Sequence, residues 1–311
     1  MSPELFESLS RQGYNRIPIW RSVAADLDTP LSVYLKLADG PNTFLLESVQ
    51  GGENWGRYSI IGLPSETTWQ LRGHTLTHSV HNQVVEEYQT QDPLGALAEV
   101  IASVKAPLLD ELPGFSGGLV GYFGYEIVGL IEPRLMAEVP EDALPDVLVM
   151  DARELAVFDN LSGRLNLIVT ADPSEPDAWA SAQRRLDQLT HRLRMSAPTY
   201  PPAVNLPVPS FDDFEFDFDE EAFKAAVHRA KEYILAGDVM QVVLSQRMRV
   251  PLAARPIDVY RALRSLNPSP YMYFFDFGDF HVVGASPEVL VRIKDQQAMV
   301  RPIAGTRPRG K

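Results

Sequence analysis

Thr43-Phe-Leu-Leu-Glu-Ser-Val49 and, a few residues on, Arg57-Tyr-Ser-Ile-Ile-Gly-Leu63 settle what class of fold the chain adopts. Both are short, apolar at their centres and free of proline, and each reads as a strand. Further along, residues 67–90 show two more apolar runs around a tight turn at Arg72-Gly73, a hairpin pattern. Val147-Leu-Val-Met-Asp151, Glu154-Leu-Ala-Val-Phe-Asp159 and, after the turn Asn160-Leu-Ser-Gly163, Leu165 to Asp172 add more strands. Helical spacing appears between them. Thr29 and Pro30 cap a helix over 29–37. Leu94, Leu97, Val100, Ile101 and Val104 line one face of 92–104, and Trp179, Ala182, Leu186, Leu189 and Leu193 line one face of 174–195. Strands and helices do not alternate, so a doubly wound parallel sheet is excluded and the class is α+β.

Residues 196–217 differ in kind. They hold Pro198, Pro201, Pro202, Pro207 and Pro209, then the acidic aromatic run that ends at Asp217. This is the linker of the chain. The division that follows is an N-terminal domain over 1–197, a linker over 198–217 and a second domain over 218–311. Beyond the linker, Asp217 to Glu220 reads as a capping box. It opens a helix with Phe223, Val227, Ala230 and Ile234 in register, and Gly237 stops it. Residues 239–250 read as a strand and 256–266 as a helix. Four strands follow, over 271–278, 279–286, 288–293 and 298–305.

The chain has 311 residues, 45% hydrophobic and 22% charged, with a net charge of −13 and no cysteine. A balance this acidic argues against nucleic acid and anionic membrane as partners, since both are polyanions. Without cysteine there is no disulfide, thiolate nucleophile or Cys-ligated zinc. The first twenty residues carry no apolar core of signal-peptide length, and no apolar run is long enough to span a bilayer. A cytoplasmic location is the expectation.

Several motifs invite a function and are better read plainly. Gly305 to Lys311 fits GxxxxGK, but its interior holds Pro308 and two arginines where a phosphate-binding loop needs compact backbone. Gly118, Gly121 and Gly124 are spaced GxxGxxG, which marks close backbone approach in a strand and not a dinucleotide turn. His74, His78 and His81 fall on a hairpin, where 74 and 78 share a face and 81 does not, so they make no metal site.

Three segments are not exhausted by the plain reading. Leu45-Leu-Glu-Ser48 ends a strand in polar groups. Asn267-Pro-Ser-Pro270-Tyr-Met-Tyr-Phe274 turns from a helix into an aromatic strand through two prolines, which can wall a rigid apolar pocket. The segment from Met299 brings Arg301, Arg307 and Arg309 near Gly305 and Thr306, a place where a small dicarboxylate could be gripped by charge-assisted hydrogen bonds.

With Arg57-Tyr-Ser-Ile-Ile-Gly62, Gly117 to Glu126, Gly237 to Gln246, Gly284-Ala-Ser-Pro-Glu288 and Pro302-Ile-Ala-Gly-Thr-Arg307, these segments resemble the chorismate-utilising enzymes. The likeness is closer to the large subunits of anthranilate synthase. It implies a two-layer, β-sandwich-like core with helices outside. It also implies an enzyme that turns chorismate and ammonia into anthranilate and pyruvate with Mg2+, in the first step of tryptophan biosynthesis. The ammonia comes from glutamine through a partner amidotransferase subunit, and L-tryptophan inhibits from a separate site. Carried over residue by residue, Ser48, Pro270, Tyr271 and Met272 match the tryptophan site, with Glu47 beside it and Arg57 as a further neighbour. Gly305 and Thr306 match chorismate contacts. Ala304 stands where aminodeoxychorismate synthases resemble one another in a lysine, which argues against that alternative. The family's Mg2+ ligands and acid–base residues are expected beyond Lys311, so no catalytic or metal residue is assigned within these 311 residues. The chain alone is expected to make no anthranilate. A tryptophan-binding protein without catalysis is the other reading.

Overall fold

A computed structural model describes residues 1–38, 40–48, 56–135, 143–195, 206–294 and 296–302. The chain divides into two compact units, residues 1–199 together with 260–311, and residues 200–259.

The first unit is built on two antiparallel sheets. The larger joins β1 (Ile17–Ala24), β2 (Thr43–Glu47), β3 (Tyr58–Gly62), β9 (Glu154–Asp159), β10 (Arg164–Ala171), β13 (Tyr271–Asp276) and β14 (His281–Ser286). Their order is β1-β10-β9-β3-β2-β13-β14. The smaller holds β4 (Thr67–Arg72), β5 (Thr75–Val80), β6 (Gln83–Gln89), β7 (Gly118–Phe123) and β8 (Val147–Ala152), in the order β6-β5-β4-β8-β7. The two sheets face each other across one apolar layer. Phe44, Leu155, Val157, Ile168 and Phe275 of the larger sheet pack with Leu148, Met150 and Ala152 of β8. Because side chains alternate along a strand, Thr43, Leu45 and Glu47 take the opposite face of β2. There they meet helices. α2 (Pro30–Leu37) lies on β2 and β3, and α4 (Ala178–Arg194) on β10 and β1. The Tyr34 ring meets Phe274 edge-on at 5.6 Å. This is the sandwich-like core with outer helices that the sequence led one to expect. β8 is buried along its whole length, Asp151 included, whose carboxylate is paired with Arg153.

Local sequence explains the ends. Thr29 and Ser32 form a reciprocal capping box at α2. Asp92 caps α3 (Pro93–Ser103) through the Gly95 amide. Two aromatic rings lie across cross-strand glycines, Phe44 over Gly62 and Tyr273 over Gly284, so a Cβ at either glycine would enter the ring. At Gly121 a Cβ would strike the Leu148 carbonyl of the neighbouring strand. That is the close approach the glycine spacing foretold.

The N-terminus supplies an element for which the sequence pattern raised no expectation. Ser2 accepts from the Leu5 amide and Pro3 opens α1 (Pro3–Arg11), whose Phe6 and Leu9 are buried. α4 begins later than expected, at Ala178, because Asp177 is left-handed at φ 53°.

In the second unit α5 (Glu220–Ala236) is capped by Asp219, not Asp217, and closed by Gly237 at φ 84°. Asp217 is engaged elsewhere, with Arg247 and Arg249. The strand expected over 239–250 is a correction. Only β12 (Met248–Arg249) pairs, with β11 (Glu215–Phe216), since a strand exists only where it finds a ladder partner. α6 (Pro256–Leu266) runs across the boundary between the units. β15 (Arg292–Lys294) and β16 (Gln297–Met299) form a small hairpin of the first unit. No helix among the described residues is long and apolar enough to cross a membrane.

Candidate functional site

The Leu45 to Ser48 segment and the turn after Asn267 meet in the larger sheet. β13 lies antiparallel beside β2, with Met272 opposite Glu47, Tyr273 opposite Leu46 and Phe274 opposite Leu45. Ser48 therefore leaves β2 at the point where Tyr271 enters β13. Ser48, Pro270 and Tyr271 are half-buried, and Met272 is buried. Partners across a ladder share a face. Met272 points with Glu47 toward the helices, and Tyr273 with Leu46 toward the smaller sheet. Close by, open to solvent past Ile101 of α3 and Phe123 of β7, lies an apolar groove of about 310 Å³ that Ser48, Pro270, Tyr271 and Met272 do not line. Leu46 and Phe275 form one wall, and Val120, Gly121 and Val149 another.

Glu47 is not open to a ligand. Its carboxylate accepts from the Tyr260 hydroxyl at 2.5 Å and from Arg264 Nε and Nη2 at 3.0 and 3.2 Å. Burial, followed by the Glu47 charge, pushes the Tyr260 hydroxyl far above its ordinary pKa, so it stays a donor. Neither Tyr260 nor Arg264 stood out in the sequence. Their spacing of i and i+4 in Asp258 to Leu266 was the available signal.

Arg57 is committed as well. It forks onto Asp159, with Nη2 at 3.0 Å and Nε at 3.3 Å, and its guanidinium lies 4.9 Å from the centre of the Tyr58 ring. Burial alone would raise the Asp159 carboxyl. The Arg57 fork and the amides of Leu161 and Ser162 overcome that and hold it below the usual carboxylate range. A lowered folded-state value means stabilisation that is present above the unfolded value of about 3.9 and lost as pH falls through the folded one. Asp159→Asn is therefore expected to be less stable than the parent at neutral pH and to show a shallower loss on acidification below about pH 4. Urea melts across that range check it.

The remaining expectations divide plainly. Gly305 and Thr306 lie outside the described residues. His78 stacks on Trp69 with centroids 4.9 Å apart, and His81 reaches Glu66 at 3.8 Å. Among the described residues no group of three His, Asp or Glu side chains could hold a metal ion. A larger groove of about 710 Å³ opens at the other end of β2, around Asn42, Ser65 and Asn82. It is polar, and its charges satisfy one another, Arg153 with Asp151 and Arg185 with Glu154.

The chorismate binding enzymes match residues 45–311. The chain belongs to that family. Anthranilate synthase component 1 of Pseudomonas aeruginosa is 52% identical over 314 residues, covering 100% of this chain and 64% of that protein. The same component of Neisseria meningitidis serogroup B is 48% identical over 317 residues, covering 100% and 63%. The chain thus spans about 64% of the length of the curated relatives it matches. The crystal structure of anthranilate synthase component I from Streptococcus pneumoniae superposes with a TM-score of 0.63 at 32% identity, covering 88% of this chain and 59% of that one.

Proposed function

We propose that this protein serves in the cytoplasm as the large subunit of an anthranilate synthase, forming anthranilate and pyruvate from chorismate and ammonia. The observation that carries the proposal is the identity of about half over the whole chain to proteins of that name. Ala304 supports the choice over aminodeoxychorismate synthase, because alanine offers no nucleophile to chorismate. In this reading Gly305 and Thr306 contact chorismate. Mg2+ is the cofactor, and a glutamine amidotransferase subunit supplies the ammonia. Residues 1–197 are the N-terminal domain of that subunit, 198–217 a linker, and 218–311 part of the chorismate-binding domain.

The same proposal makes L-tryptophan the inhibitor at the junction of β2 and β13. Ser48 meets the polar end of the amino acid, while Pro270, Tyr271 and Met272 shape its surroundings. The cross-strand register supports this by bringing the end of β2 beside the start of β13. The full-length protein, given chorismate, ammonium and Mg2+, is expected to yield fluorescent anthranilate and to be inhibited by L-tryptophan. Aminodeoxychorismate in place of anthranilate would overturn the assignment.

A further inference from the structure

The Glu47 side chain is 2% exposed, and both of its oxygens are already occupied by donors from α6. A carboxylate this buried, holding three donors already, is engaged in the fold first, although it sits next to Ser48 in sequence. We infer that Glu47, Tyr260 and Arg264 form a clamp that positions the turn 267–270, and so sets the spacing between Ser48 and Tyr271, with none of the three touching the ligand. This rests on the inhibitor site proposed above.

The turn is held from both ends. α6 runs into Asn267-Pro-Ser-Pro270, which runs into β13. At its far end the turn is fixed because Met272 faces Glu47 across the ladder. At its near end it is fixed because Tyr260 and Arg264, one helical turn apart, both grip that same Glu47. One carboxylate thus ties the two ends of the turn to the strand that leads into Ser48. The Tyr260 ring adds a second hold, meeting Phe274 of β13 at 5.8 Å. With the clamp made, Ser269 at the middle of the turn is 5% exposed and donates to the Asn267 carbonyl at 3.3 Å. Loss of one donor leaves a buried carboxylate short of a partner, which loosens the tie without removing any surface of the site.

The chain has no cysteine, so one introduced thiol is a unique reporter. In the 311-residue chain carrying Ser269→Cys, labelling by a maleimide is expected to be slow. Adding Tyr260→Phe or Arg264→Gln is expected to speed it about tenfold, the scale of one charge-assisted hydrogen bond. A control thiol at Ala182→Cys in α4, where Ala182 is 4% exposed, is expected to keep its rate. Unchanged labelling at position 269 in both variants overturns the clamp, as does an equal rise at positions 269 and 182, which is global loosening. Calorimetry on the same variants is expected to show L-tryptophan bound several-fold more weakly. Faster labelling with unaltered tryptophan affinity overturns the claim that the clamp sets the site. Failure of the unsubstituted chain to bind L-tryptophan counts against the inhibitor site alone, and the labelling rates still decide the clamp.

Discussion

Ser48→Arg is expected to weaken L-tryptophan binding about a hundredfold or more, on the order of 3 kcal/mol, while the chain stays folded. Ser48 is half-buried at the end of β2, beside the point where Tyr271 enters β13. A hydroxyl there can hydrogen-bond the polar end of an amino acid and takes little room. An arginine loses that geometry and adds a long cation that must either fill the space or displace Tyr271. The fold tolerates the change because Ser48 lies just past the last ladder residue, Glu47. Calorimetry with matched circular dichroism checks both halves of the statement. Wild-type affinity in the variant would remove Ser48 from the site.

Leu45→Ala is expected to cost about 2–5 kcal/mol of stability, a large share of the 5–15 kcal/mol typical of a folded domain. Leu45 is fully buried, with Ile61 opposite on one side and Phe274 on the other. Its removal opens a void that three strands border and that none can close without shifting register. An exposed position such as Val84, 61% accessible on β6, is the contrast. Its change to alanine should stay within about 0.5 kcal/mol. Equal urea midpoints for the two variants would contradict the placement of β2 at the heart of the larger sheet.

Much of the fold was legible because its signals are local. The proline after a cap at Thr29, the turn Asn160 to Gly163 and the glycine after Ala236 each specify backbone within a few residues, and each is found where expected. The failures share a cause. Residues 239–250 have the residue types of a strand, but pairing depends on what lies alongside, which composition does not record. The pairing of β2 with β13 is of the same kind, as is the clamp between Tyr260 and Glu47, 213 residues apart. In the candidate site the resemblance supplied Ser48 and Pro270 to Met272. Neither it nor the residue pattern revealed that Glu47 is spoken for by α6, because the reach of a tyrosine and an arginine depends on how a helix sits upon a sheet.

Whether β2 and β13 share one ligand site is decided by amide hydrogen exchange on the 311-residue chain with and without saturating L-tryptophan. If one site is made from both strands, the ligand slows exchange in residues 45–48 and in 270–273 together and leaves β6 unchanged. Slowing in one of the two segments only, or in neither, would mean that the neighbouring strands do not share a tryptophan site.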